Sequence, residues 1–489
     1  MSLPVPNTIA TVSARVAEHR LQWDVVATLL GGTSEMRRAG KTYLPIEPNE
    51  ELEDWQARLD RTTLDNFFAD GVARLVSKVF AKELKFDKVP QKLALLLEDF
   101  DNQQQNATQV ALRVFKDAAT YGIGYMLTEY PSLPDGFQFQ NYAQEQASGR
   151  RPYVVRVDPR SLLDVRSISF NGVERLGLFR WQEVDSVLAA DGISEINTVQ
   201  IRELKQVANE DGTPGAVTYT VYRKHDLHTE WYVHKTGTLP VTAIPVAPDY
   251  GNRSGFMLGL PPLFDLAQQN LLHWRLSSDL NNILHICNVP FLFAKGFKQQ
   301  TDKDGNDVSF AISVRKALTT SNEAADVKWV EHQGNSIVAA MNHIANLEKR
   351  MEARAMAVLA QTGGTVTATA TAINAAEANA GLKQMALSLQ DSLNATLYFM
   401  SLYLGLPSYG KVEVNTSFSN DYVSETTFEQ VLALFAAGLI TQEVVISEAK
   451  RRNIIDQNQV IVPVKQTVTS VEPQVEAGEQ EQKELVPAE

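Results

Sequence analysis

Three long helical patterns fill most of the stretch from Gly259 to Leu404, separated once by a polar insertion and once by a run of Gly, Thr and Ala. Gly259-Leu260-Pro261-Pro262 opens the first, with proline in the first turn, where its missing N–H leaves no hydrogen bond unmade. Leu272, Leu276, Leu280, Ile283, Leu284 and Cys287 recur at helical spacing along one side, predicting a helix to about residue 286. Asn288-Val289-Pro290 breaks the pattern, a brief apolar strand is expected at 291–294, and Gly296 leads into the insertion. The insertion carries Asp302, Asp304, Asp307, Arg315 and Lys316, with strands expected at 308–314 and 327–330. Gly334-Asn335-Ser336 caps the second helix, which holds Ile337, Met341, Ile344, Met351, Ala355 and Val358 in register. It meets Gln361-Thr362-Gly363-Gly364 and the alternation from Thr365 to Ala372, before the third helix runs to about Leu404. Glycine and β-branched threonine weaken helix there, predicting a mobile loop with Thr362, Gly363, Gly364, Thr365, Thr367, Thr369 and Thr371.

Upstream, the first third reads mainly helical. Val16, Leu21, Val25, Val26 and Leu29 mark a helix that Gly31 and Gly32 should stop, followed by a basic turn from Arg37 to Tyr43. Helix is expected again from a cap at Asn49, its apolar face continuing through Phe67, Val72, Leu75, Val76 and Val79, and once more over 107–121. From Tyr125 to about Val246 short alternating runs replace the helical period, with strands expected at 153–157, 176–179, 217–222 and 230–233. Beyond Leu404 come an expected strand at 412–414 and helices over 424–436 and 441–453. From about Thr467 six glutamates face Lys483 alone, a net −5 that predicts a disordered tail. The fold class expected from this order is α+β.

The chemistry the chain excludes is as informative. A net charge of −13 leaves no basic surface for holding phosphates tightly, so any nucleic acid it meets is not gripped. Cys287 is the only cysteine, ruling out an intrachain disulfide and a thiol relay and fitting a reducing compartment. No apolar run approaches the roughly 18 residues of a membrane span, and charged residues stand where a leader would need an apolar core, so a soluble cytoplasmic protein is expected. Gly40-Lys41-Thr42 ends like a phosphate-binding loop, but Glu35 stands where that loop needs its first glycine, and a helix precedes it instead of a strand. Asp302 to Asp307 has its glycine fourth and Ser313 twelfth, which does not fit a calcium loop. His225 and His228 are an odd number of positions apart and would face opposite sides of a strand. No catalytic residue, metal or cofactor is expected.

The order of parts resembles the portal proteins of tailed bacteriophages over roughly residues 30 to 455. Gly259-Leu260-Pro261-Pro262-Leu263 is similar to the start of that family's first stem helix. Thr369-Ala370-Thr371-Ala372-Ile373 with Asn374 resembles the motif that restarts helix after its tunnel loop. Tyr121-Gly122-Ile123-Gly124-Tyr125, the strand from Arg151 to Asp158-Pro159, and Phe418 to Tyr422 resemble its wing turn, wing strand and passage to the last helices. The resemblance implies a wing over 1–257, helical to about 121 and β-rich over 122–257. It then implies a first stem helix over 258–296, a clip over 297–334 and a second stem helix over 335–361. A tunnel loop with its following helix over 362–405, a small C-terminal wing or crown region over 406–466 and an acidic tail over 467–489 complete it. The short C-terminal part departs from larger relatives and argues against a tall crown.

By the same resemblance the chain would be no enzyme. It would form a ring of about twelve copies at one capsid vertex of the virion, assembled in the host cytoplasm. Its partners would be further copies of itself, double-stranded DNA passing through, the terminase large subunit, a head-tail adaptor, and the major capsid protein and scaffold, with no membrane. The clip, with Asp302, Asp304, Asp307, Arg315 and Lys316, would dock the motor that hydrolyses ATP. The loop residues named above would face DNA, and their freedom from charge between Gln361 and Ala376 suits a surface that touches a moving duplex and releases it. Lys349, Arg350 and Arg354 are expected to pair with Glu348 and Glu352 on the solvated face of their own helix. The rival classes are a packaging ATPase, which would need a complete phosphate loop, and a head-completion or tail adaptor, which would lack the helix-insertion-helix-loop-helix order.

Overall fold

Burial of one helical face against another organises the first 121 residues. The computed structural model describes residues 7–131, 148–189, 191–224, 230–287, 291–295, 324–330, 335–357, 368–416 and 441–451. Shorter described pieces lie at 140–141, 144, 322, 418, 431–433, 435–437 and 454. The chain divides into two compact units, Met1–Phe418 and Ser419–Glu489.

In the first unit, α1 (Ala14–Leu30) buries Val16, Trp23, Val26 and Leu29. Leu21, one of the apolar residues that mark this helix in the sequence, is 74% exposed; the inward stripe passes through Trp23. Gly31 and Gly32 do not end the helical region. They kink it, Gly32 taking a positive φ, and α2 (Gly32–Ala39) starts at once, so Arg37 and Arg38 lie in a last helical turn. Gly40-Lys41-Thr42 forms a single 3-10 turn, with the Lys41 ammonium 5.5 Å above the Trp55 ring. Asn49 is no cap: it has φ 67°, and α3 (Leu52–Arg61) begins after Glu51. The single helix expected from there is two. Asn66 accepts a hydrogen bond from the Ala69 N–H and starts α4 (Phe67–Val79) afresh, the capping geometry that asparagine favours. A short α5 (Gln91–Ala94) precedes α6 (Ala107–Tyr121), capped by Asn106 and closed by Gly122 in the left-handed region.

The strands form an antiparallel framework beside these helices. β1 (Lys85–Asp87) pairs with a late strand, β14 (Lys411–Glu413). β2 (Ile123–Glu129) lies between β3 (Tyr153–Val157) and β9 (Val246–Tyr250). A five-stranded meander runs β4 (Leu162–Phe170), β5 (Val173–Leu188), β6 (Glu195–Ala208), β7 (Pro214–Lys224) and β8 (Trp231–Leu239). β5 far outruns the strand expected at 176–179, and its end pairs with β6 alone, Val184 against Val199 and Val187 against Ile196. Small hairpin strands β10 (Arg253–Gly255) and β11 (Leu258–Gly259) lead to the long helices. The fold class is α+β. The second unit holds one described helix of length, α10 (Gln442–Arg451), within the expected 441–453. Residues 424–430 of the other expected helix, the strand expected at 308–314, His225, His228 and the acidic tail lie outside the described residues.

β9 carries one group with a measurable consequence. Asp249 is fully buried, and neither carboxyl oxygen completes a hydrogen bond, although the Ser388 hydroxyl lies close by. Burial therefore raises its pKa well above the usual carboxylate value. A raised pKa in the folded state gives stability that is complete below the unfolded value and is lost as pH climbs towards the folded one. Asp249→Asn is expected to match the wild type near pH 4 and to exceed it at neutral pH, the gap widening by about 1.4 kcal/mol per pH unit in between. Urea midpoints measured from pH 4 to 8 check this; a gap that does not change with pH would refute it.

Candidate functional site

Three helices stand where the sequence places its three long patterns: α7 (Phe264–Cys287), α8 (Asn335–Ala357) and α9 (Ala368–Leu404). Their common root is a backbone crossing. Gly122 closes α6, and its carbonyl accepts hydrogen bonds from the N–H groups of Gly251 (2.9 Å) and Asn252 (3.1 Å), while the Leu260 N–H reaches the Asn252 carbonyl at 3.0 Å. Trp23 spans the same crossing, its indole N–H donating to the Tyr121 carbonyl at 2.9 Å and the Gly259 carbonyl at 3.2 Å. The turn Tyr121 to Tyr125 and the segment Gly259 to Leu263, distant in sequence, thus meet where α7 departs.

α7 and α8 pack antiparallel. Asp265 near the start of α7 binds Arg354 near the end of α8 at 2.9 Å, and His273 Nε2 lies 3.0 Å from Glu348 Oε1 further along. The pairs expected within α8 are replaced by these cross-helix bonds, because the neighbouring helix brings partners nearer. Lys349 and Arg350 remain exposed, with no ion pair among the described residues. β12 (Phe291–Lys295) follows α7 and β13 (Asp326–Val330) precedes α8, and the two pair antiparallel from Phe291 opposite Val330 to Lys295 opposite Asp326. The two antiparallel helices thus flank in sequence a paired two-stranded ribbon.

The buried face of α7 is not the leucine stripe. Leu266, Ala267, Asn270, His273, Trp274 and Ser278 face inward. The polar members are matched by the N-terminal helices: the Asn270 amide bonds the Asp65 carbonyl and the Phe68 N–H, and the Ser278 hydroxyl bonds Thr62 at 2.9 Å. On the other side Leu272 and Ile283 are 42% and 41% exposed. α8 buries Ile344, Leu347, Met351 and Ala355 but leaves Val338 and Met341 more than half exposed. Each helix of the pair therefore keeps apolar side chains in water in the single chain.

The C-terminal half of α9 is anchored in the core by Leu382, Ala386, Leu389, Leu393, Leu397 and Met400, at 3- and 4-residue spacing. Its 37 residues extend about 55 Å. The helix already begins at Ala368, so Thr369 and Thr371, expected in the loop, stand on its first turns; the alanines between them favour helix enough to outweigh the threonines. Thr362, Gly363, Gly364, Thr365 and Thr367, and with them Asp302, Asp304, Asp307, Arg315 and Lys316, lie outside the described residues.

A cleft of about 410 Å³ beside β2, β6 and β7 is lined by Glu129, Tyr153, Glu183, Arg202, Arg223 and Tyr403 among others. Its charges are spent on each other: Arg202 binds Glu129 and stands 3.6 Å from Glu183, and Arg223 binds Asp185 and Gln200. That pattern braces the sheet and leaves these carboxylates partnered. No helix among the described residues is long and apolar enough to cross a membrane.

A family model described as "Domain of unknown function (DUF4055)" matches residues 262–404, the segment from the start of α7 to the end of α9 and less than half of the chain. No curated protein matches. Among solved structures, a chain in the virion of a native gene transfer agent particle is 14% identical, with a TM-score of 0.38, covering 78% of this chain and 88% of that one. A chain in the neck of the native particle, computed with C12 symmetry, is 13% identical with a TM-score of 0.39, and one in the neck of the empty particle, computed with C6 symmetry, is 15% identical with a TM-score of 0.35; each covers the same shares. At these scores the likeness decides nothing about function.

Proposed function

We propose that the chain is a structural subunit of a phage-like particle, and more narrowly one member of a portal-type ring through which double-stranded DNA passes during packaging and ejection. One observation carries this: an antiparallel helix pair, rooted in the core, keeps Leu272, Ile283, Val338 and Met341 exposed and flanks in sequence a paired two-stranded ribbon. Side-by-side copies in a closed ring would cover those side chains, and a heterologous interface of this kind must close. In this reading α7 and α8 are stem helices, residues 297–334 form the clip that docks the terminase motor, and the threonine-rich run before α9 approaches DNA. The head-tail adaptor, major capsid protein and scaffold are the remaining partners. ATP hydrolysis belongs to the docked motor.

The purified chain is expected to form a ring of about 650 kDa, twelve copies of 54.2 kDa, in native mass spectrometry. A species that stays at one chain mass up to high protein concentration would end the proposal. Within assembled particles, Thr367→Arg is expected to leave the ring intact and reduce packaged DNA at least several-fold, since an added cation binds the phosphates that must slide past.

A further inference from the structure

The geometry points to a divalent-cation site, of the zinc class, formed by Asp65, His273 and Glu348. Their ligand atoms all lie within 4.8 Å of one another. The three come from different elements: Asp65 from the turn between α3 and α4, His273 from the buried face of α7, Glu348 from α8. The Asp65 backbone and the His273 ring are each held by contacts outside the cluster. The fully buried Asn270 donates to the Asp65 carbonyl at 2.8 Å and accepts from the Phe68 N–H at 3.0 Å, fixing the turn. The His273 ring, 1% exposed as a residue, meets the Phe67 ring edge-on at 5.7 Å.

Charge and donor chemistry identify the ligand. Two carboxylates are gathered on one imidazole, and among the described residues no lysine or arginine pairs with either of them. The other ring nitrogen, Nδ1, faces the Ser277 hydroxyl at 3.5 Å. Nδ1 can keep a proton towards that hydroxyl, so Nε2 can exchange its hydrogen bond to Glu348 for a bond to a cation that the carboxylates also ligate. One nitrogen and two oxygens suit a first-row divalent ion better than magnesium or calcium, which prefer oxygen alone. Ligands about 2.1 Å from zinc in a tetrahedron stand about 3.4 Å apart. The His273–Glu348 separation of 3.0 Å is already near that edge, and the exposed Asp65 side chain has the freedom to close the rest. A bound ion would clasp the helix pair to the N-terminal helices.

The test uses the full chain, stripped with a chelator and titrated with Zn²⁺, with bound metal counted by mass spectrometry and stability read by thermal melting. The wild type is expected to take up an ion that raises its melting temperature. Asp65→Asn, a change at an exposed side chain, is expected to weaken that uptake at least tenfold, and His273→Gln to lower the bound metal by one ion per chain. Without metal, Asp65→Asn is expected to melt like the wild type, which separates a lost ligand from a damaged fold. Absence of zinc uptake by the wild type, or equal uptake by Asp65→Asn, overturns the site. Neither result depends on whether the chain forms a ring.

Discussion

Gly122→Ala is expected to abolish the folded chain or to cost about 4 kcal/mol or more of stability. Two independent penalties meet at this residue. Its φ of 83° lies in the left-handed region, which costs an L-residue about 1–2 kcal/mol. A Cβ there would also fall 2.0 Å from the Leu260 carbonyl oxygen and 2.6 Å from the Leu260 nitrogen. Both are backbone atoms, and the Leu260 N–H is bonded to the Asn252 carbonyl, so neither can yield without breaking the crossing. Gly259 and Gly251 are packed as tightly, their added Cβ atoms meeting the Gly122 and Ala118 carbonyl oxygens at 2.1 and 2.0 Å. Gly32→Ala provides the control: its φ is 70°, but nothing lies within 4 Å, so only the conformational cost of about 1–2 kcal/mol applies. Soluble yield and urea midpoints of the two variants check the contrast. Equal effects would mean that close packing at the crossing contributes nothing.

The second large effect is expected at Arg58, whose side chain is 3% exposed. It donates to both Glu50 carboxylate oxygens at 2.7 Å and to the Pro45 carbonyl at 3.0 Å, and it stands 3.4 Å from Ser278 and Asp279 on α7. Arg58→Ala would leave the carboxylate and carbonyl without their donor, a loss of about 3–5 kcal/mol for a broken buried pair. Replacing both partners with apolar residues of similar size, Arg58→Met with Glu50→Leu, is expected to recover much of that loss, because no stranded charge remains. The guanidinium bond holds the Glu50 carboxyl below its ordinary pKa. Its share of stability is present at neutral pH and disappears as pH falls through that lowered value, so Arg58→Ala should also flatten the acid limb of the stability profile. Denaturation of the single and double variants at pH 3 to 7 measures both effects.

Local signals were readable in the sequence, and tertiary choices were not. α6 begins and ends at its expected residues because Asn106 and Gly122 are strong caps. α9 ends at the expected Leu404, and the short strands β12 and β13 fall where apolar and β-branched runs announce them. The length of β5 was hidden because its outer half carries polar and apolar residues on both faces, with no core to impose alternation. The inward face of α7 is not legible in its spacing for a related reason. Its leucines recur at helical spacing, yet Asn270 and Ser278 go inward because the Asp65 carbonyl, the Phe68 N–H and the Thr62 hydroxyl meet their polar groups, and His273 goes inward beside Glu348. Asp65, His273 and Glu348 are scattered over three elements, so no local spacing could have joined them.

The glycine crossing also has a mechanical consequence. Glycines there let main chain meet main chain with Trp23 bridging it, holding the base of α7, whereas the end near Ile283 has few buried neighbours. A load reaching α7 near Ile283 is therefore expected to bend the outer span of the helix before it disturbs the backbone crossing at its base.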